Sequence, residues 1–247
     1  MKHHIKMKLT VLGSSSSGNC YVIQSEDEAL ILEAGISLLE VKSVLNYDTT
    51  KVAGVLCTHS HGDHSKYAKE FEDCFPFYTH KSVIVERRLQ RAKVIEAEKG
   101  FIVGKFKVYP FEAYHDVPCL GFLIYHDKFG SLMFLTDSYK CNYTFENLNH
   151  IMIECNYTDR LIDENVEIGL LHPYVGRRTK KTHMSLETCK LALKNQNLEK
   201  VHNILLIHLS SQNSDPNMFY DVIAKATGKP IKIAKPGVEI ELVKNPY

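Results

Sequence analysis

Residues 52–57 form a short apolar, β-favouring run, Val52-Ala53-Gly54-Val55-Leu56-Cys57, and Thr58-His59-Ser60-His61-Gly62-Asp63-His64 follows it directly. The first stretch reads as a buried strand. The second crowds three imidazoles and a carboxylate into six residues, His59 to His64. Imidazole nitrogen suits zinc and related transition metals, and a carboxylate widens the choice to manganese or iron. Two histidines in His-x-His can face one ion only if the backbone turns between them, and Gly62 permits such a turn. Asp63 and His64 then open a helix in which Tyr67, Ala68 and Phe71 stand at helical spacing, so they can hold a second ion. Structural zinc sites are usually closed by four sulfur or nitrogen ligands, whereas a His and Asp set tends to leave a position for water.

The HxHxDH spacing resembles the signature of the metallo-β-lactamase fold superfamily. That resemblance implies an α/β (α+β) chain folded as a four-layer αββα sandwich, completed by a third histidine, a bridging acid and a final histidine. The chain offers them: polar residues recur immediately after apolar strands at His115, Asp137, Glu154, Asn156 and His208. Strand ends collected on one edge of a sandwich gather side chains distant in sequence. By the resemblance, His59, His61 and His115 hold one divalent ion, and Asp63, His64 and His208 hold the other. Asp137 bridges both. Zinc is favoured by the histidines, with manganese the alternative.

One branch of the superfamily fits further. Leu12 to Asn19 (LGSSSSGN), His115-Asp116 with Pro118, Glu154-Cys155-Asn156, Thr182-His183-Met184-Ser185 and Ile207-His208-Leu209-Ser210 resemble the YycJ/WalJ family. These motifs span residues 9–225, and they imply a metal-dependent nuclease with 5′-to-3′ exonuclease action on DNA. The chain departs from the family at Glu33, where an Asp is usual, and at Tyr157, where a His is usual.

The chemistry expected is hydrolysis of a phosphodiester. Paired divalent ions about 3.5–4 Å apart make a nucleophile of water at neutral pH and polarise a phosphoryl oxygen. Asp63 can orient that nucleophile, and His183 serves as general acid or as a donor to the phosphate. Ser185, Arg177, Arg178, Lys180 and Asn156 are candidate substrate contacts, although the basic stretch reads equally well as a solvated loop. Ser185 and the amides after it can bind a phosphate at a helix start. Glu33 and Glu154 are candidates to hold ligand histidines in one tautomer. The alternatives are a phosphodiesterase for a small cyclic nucleotide and, further off, a lactone, lactam or thioester hydrolase. A nucleic acid or nucleotide is the expected partner, and a homodimer the expected assembly.

The 247 residues suit one domain, with residues 1–7 a flexible extension and His3 and His4 without function. No repeat or composition break marks a linker. No apolar run approaches a membrane span, and the N-terminus lacks the apolar core of a signal peptide. Seven cysteines, an odd number without Cys-x-x-Cys, argue against a disulfide framework and for a reducing cytoplasm. A net charge of +1 means that any nucleic-acid affinity comes from local patches. Along the chain, Gly13 to Asn19 reads as a loop, either a plain turn or a rim near the metals. Residues 81–98 read as one long helix, 106–109 and 111–114 as separate strands, 176–185 as the basic loop, and 185–195 as a helix capped by Ser185.

Overall fold

The computed structural model describes residues 7–245, so the expectations for His3 and His4 lie outside the described residues. The first half contains β1 (Met7–Ser15), β2 (Gly18–Gln24), β3 (Ala29–Leu32), α1 (Leu38–Val44), β4 (Val52–Cys57), α2 (Gly62–Ser65), α3 (Ala68–Cys74), β5 (Phe77–Thr79), α4 (Lys81–Arg87) and β6 (Lys93–Val94). Then come β7 (Phe101–Val103), β8 (Phe106–Ala113), β9 (Cys119–His126), β10 (Gly130–Leu135) and β11 (Leu148–Glu154). The remainder is α5 (Asp159–Glu167), α6 (Pro173–Thr182), α7 (Leu186–Lys194), β12 (Asn203–Ile207), α8 (Pro216–Thr227), β13 (Ile231–Ile233) and β14 (Glu239–Leu242).

Strand alternation makes the layers. In β4, Leu56 enters one buried cluster while Val55 and Cys57 enter another, the period of two expected of a strand covered on both faces. Leu30, Leu32 and Leu56 meet Phe122, Phe134 and Ile207 in a core between two sheets. Val55 and Cys57 pack outward with Val41 of α1, Phe71 of α3 and Val83 of α4. On the far side, Met133, Ile153 and Leu206 face Cys189 of α7 and Phe219 of α8. The result is helices, sheet, sheet, helices: the four-layer sandwich expected.

Each sheet has seven strands, ordered β14-β1-β2-β3-β4-β5-β6 and β13-β12-β11-β10-β9-β8-β7. In the first, the pairs from β14 to β3 are antiparallel and those from β3 to β6 parallel. The second repeats this pattern, antiparallel from β7 to β10 and parallel from β10 to β13. The two halves share a topology without sharing a sequence repeat. Parallel neighbours end on the same edge of their sheet, so β3 and β4, like β10, β11 and β12, release their polar followers together.

Several local expectations need correction. Met7, assigned to the extension, is the fully buried first residue of β1. Gly13 to Asn19 is not a loop, because β1 continues to Ser15 and pairs with β2 from Gly18 in a tight hairpin. The long helix over 81–98 stops at Arg87. Arg88 caps α4 at φ 53°, and buried Glu72 accepts the backbone N–H groups of Gln90, Arg91 and Ala92, drawing the chain across to β6. β8 runs unbroken through Pro110, since β7 pairs only with Phe106, Lys107 and Val108, and beyond it the Pro110 carbonyl accepts the Glu98 N–H on a side where no strand needs the missing donor. The basic stretch is mostly helical: His172 accepts the N–H of Tyr174, and Pro173 in the first turn starts α6. The cysteines are all unpaired, and no helix among the described residues is long and apolar enough to cross a membrane.

Candidate metal centre

The turn after β4 is made at His61 (φ −59°, ψ 151°), not at Gly62, which already belongs to α2. A Cβ at Gly62 would meet nothing within 4 Å, so its glycine freedom is not what shapes the motif. Gly35 is the position that needs glycine. A Cβ there would stand 1.7 Å from the Asp63 carbonyl oxygen, and no larger residue lets the segment after β3 lie so close to α2.

Three ring systems face each other at the first candidate site. His59 shares a 2.9 Å hydrogen bond between Nδ1 and Thr58 Oγ1, and its Nε2 is buried with no hydrogen-bond partner. His115 donates from Nδ1 to the Thr182 carbonyl at 2.8 Å, leaving Nε2 as an acceptor 3.1 Å from His61 Nδ1. His59, His61 and His115 each offer a ligand atom within 4.8 Å of the others. Burial, with His64 adding to it, holds the His59 pKa well below its ordinary value. A neutral ring with an orphaned lone pair in a dry site fits a metal ion and fits little else.

Asp63, His64 and His208 form a second such group, and Asp137 lies within the same reach of His59 with His64 and of His183 with His208. Asp137 is 2.9 Å from His64 Nε2, 3.2 Å from His208 Nδ1 and 3.1 Å from His183 Nδ1. Burial alone would raise its pKa, but His208 and His64 outweigh that and hold it well below the carboxylate range. Burial likewise opposes charge on His64, yet Asp137 and Glu33 raise its pKa well above the ordinary value. Glu33, Asp137 and His208 all stand in the left-handed region, at φ 68°, 47° and 53°. Such non-glycine strain costs about 1–3 kcal/mol per residue and collects at functional sites.

Of the candidate supporting acids, Glu33 sits 3.5 Å from His64 Nδ1 without a well-formed hydrogen bond. Glu154 holds His183 rather than one of the expected ligands, at 2.7 Å from Nδ1, and accepts from the Ser138 and Met184 amides. Burial disfavours charge on His183, but Glu154 and Asp137 prevail and raise its pKa to about 10. These groups open on a cleft of about 460 Å³ whose walls include Ser16, Asp63, Asn156, Arg178, His183 and His208.

The expected substrate contacts divide. Asn156 and Arg178 line the cleft, and Asn156 also donates to the His208 carbonyl at 2.7 Å. Arg178 gives two donors to Asp116, whose other oxygen lies 3.3 Å from both His61 Nε2 and His115 Nε2. Arg177 lines a neighbouring cleft. Lys180 points to α5, paired with Asp159 and Asp163, and is not in the cleft wall. Ser185 is the N-cap of α7, its oxygen taken by the Thr188 amide, and it too is absent from the wall. Sequence reasoning gave Gly35 no role at the site, and Thr58, Thr182 and Asn19 entered only as members of motifs. Asn19 donates to Asp63 Oδ2 at 3.2 Å and lies 3.0 Å from His64 Nε2. The only signal for Thr58 was its place next to the first histidine.

Comparison with known proteins bears on the fold. The metallo-beta-lactamase superfamily profile matches residues 15–118. The metallo-β-lactamase fold protein YhfI from Bacillus subtilis superposes with a TM-score of 0.74 at 19% identity, covering 96% of this chain and 99% of that one. The chain has the metallo-β-lactamase fold. Human tRNase Z, short form, shares that fold with a TM-score of 0.60 at 15% identity, over 96% of this chain and 99% of its own. Among curated sequences, exodeoxyribonuclease YycJ of Bacillus anthracis is 23% identical over 232 residues, 84% of each chain. Exodeoxyribonuclease WalJ of Streptococcus pneumoniae is 24% identical over 233 residues, 85% of this chain and 84% of that one. Within the metallo-β-lactamase fold, the chain thus resembles the YycJ/WalJ nucleases over most of its length.

Proposed function

We propose that this protein is a metal-dependent phosphodiester hydrolase, and that its substrate is DNA or RNA cut from an end. The observation that carries the reading is the Glu154–His183 pair, 2.7 Å long, in which buried Glu154 holds a histidine in the wall of the cleft that contains the candidate metal ligands. His59, His61 and His115 would hold one ion and Asp63, His64 and His208 a second, with Asp137 within reach of both. Such ions, when bound, make a nucleophile of water at neutral pH and withdraw charge from a phosphoryl oxygen.

The remaining tasks fall to the chain. The Glu154 and Asp137 carboxylates beside Nδ1 favour a protonated His183 ring in the cleft. It delivers that proton to the leaving oxygen, while Glu154 fixes the ring and stabilises its charge. Asn19 and the Thr58 hydroxyl keep ligand groups oriented before substrate arrives. Arg178, with two of its five donors committed to Asp116, has others left for a phosphate oxygen. The exodeoxyribonuclease names of the two sequence relatives support the same class of substrate.

The test offers zinc- or manganese-loaded protein bis-p-nitrophenyl phosphate, cyclic nucleotides, a chromogenic lactam and a thioester in parallel. Turnover of the phosphate diester, lost on chelation, is the expected result. Turnover of the lactam or thioester alone would overturn the phosphodiester reading, and turnover of cyclic nucleotides alone would replace its polymer substrate with a signalling nucleotide.

A further inference from the structure

On one face of α6, Tyr174, Arg177, Arg178 and Lys181 follow one another at i, i+3, i+4 and i+7. All four are exposed, Tyr174 at 63% of its surface. Within this face Arg178 is paired with Asp116, and the neighbouring Lys180 with Asp159 and Asp163. Arg177 and Lys181 have no carboxylate within ion-pair reach among the described residues. Two like charges four positions apart on a helix repel, and Tyr174 leaves most of its ring surface in solvent, so fold stability does not explain this face. Together with His115, Asp116 and Thr182 these residues line a cleft of about 380 Å³. Arg178 and Thr182 also line the metal cleft, so the two clefts share a wall.

We infer that this face of α6 is a binding track for single-stranded nucleic acid, leading a strand into the metal cleft. The inference rests on the phosphodiesterase reading above and deepens it by naming the form of the substrate. Only an unpaired base can lay its face on Tyr174, and such stacking tolerates any sequence. Arg177 and Lys181 neutralise the phosphates that flank that base. The track extends about 10 Å along the helix from Tyr174 to Lys181, at 1.5 Å per residue, which a strand can follow while a cyclic nucleotide in the metal cleft does not.

The experiment measures binding of a fluorescent, phosphorothioate-linked single strand of about ten nucleotides to the metal-loaded protein by anisotropy across a salt series. Tyr174→Ala is expected to weaken binding about tenfold and Tyr174→Phe to restore it, as loss and return of one stacking platform require. The double variant Arg177→Gln/Lys181→Gln is expected to reduce the slope of log affinity against log salt by about 1.4, for two phosphate contacts at roughly 0.7 each. Wild-type affinity and slope in both Tyr174→Ala and the double variant would overturn the track, as would failure of the wild type to bind the strand at all. Hydrolysis of bis-p-nitrophenyl phosphate by the same wild-type sample separates the two readings. Diester turnover without strand binding removes the track and keeps the phosphodiesterase, whereas variant-sensitive strand binding without diester turnover does the reverse.

Discussion

Gly35 and His183 show how single residues set the terms of this site. A side chain at Gly35 has to displace the Asp63 carbonyl, 1.7 Å from the Cβ position, and the Asn19 amide, 2.7 Å from it. Gly35→Ala is therefore expected to lower stability by about 3 kcal/mol, the upper end of the usual range for overpacking, and to weaken metal binding because Asp63 is pushed out of line. Chemical denaturation and zinc titration check both effects; unchanged zinc affinity would show that Asp63 is not held by this contact. His183 and Glu154 form one close pair, 2.7 Å apart. His183→Ala and Glu154→Gln should each reduce turnover about a hundredfold, within the range for general acid catalysis, with bound metal unchanged. Because each removes the same proton delivery, the double variant should lose little more than either single one. Losses that multiply would mean the two residues work separately.

At the scale of elements, the parallel strands do the gathering. β3, β4, β10, β11 and β12 end on common edges, and the last residue of β11 and the first or second residue after each of the others bring Glu154, Glu33, His59, Asp137 and His208 to one place. This much was legible in the sequence, because a run of β-branched and aliphatic residues followed at once by a polar group is a local pattern. What was not legible depended on partners far away in the chain. The arrest of α4 needs the Glu72 carboxylate from α3, and the persistence of β8 through Pro110 needs β7 to be short. The turn of α6 away from loop structure rests on a histidine cap at His172 that composition disguised.

β11 carries a further group with a measurable consequence, away from the metal ligands. Burial pushes the His150 pKa down to about 4, and its Nε2 donates to the Val243 carbonyl at 3.0 Å. The folded pKa lies below the unfolded value of about 6.5, so the unfolded chain binds more protons between those two values. The contribution is complete above about pH 6.5 and is lost progressively toward pH 4, to a total of about 3 kcal/mol. Denaturation of wild type and His150→Gln across that window should show a shallower pH slope in the variant. Equal slopes would mean that His150 takes up its proton without cost in the folded protein.

Across the whole molecule, two sheets of one topology close over a shared core, and the site lies where their strand ends meet. The grouping of candidate ligands was legible, since each histidine and aspartate expected from the resemblance to the metallo-β-lactamase superfamily reaches this edge. It did not carry the sorting of the basic residues. Lys180 and Lys181 are neighbours in sequence, yet the 100° step of the helix sends one to α5 and leaves the other at the open cleft. The central claim, a metal-dependent nuclease working from strand ends, is tested most directly by a product ladder. Duplex DNA, single-stranded DNA and RNA, each labelled at either end in separate samples, are incubated with metal-loaded wild type and with Asp137→Ala. The account predicts stepwise release of short products from one end, abolished by chelation and absent in Asp137→Ala. Intact strands with the wild type, or an identical ladder with Asp137→Ala, would contradict it.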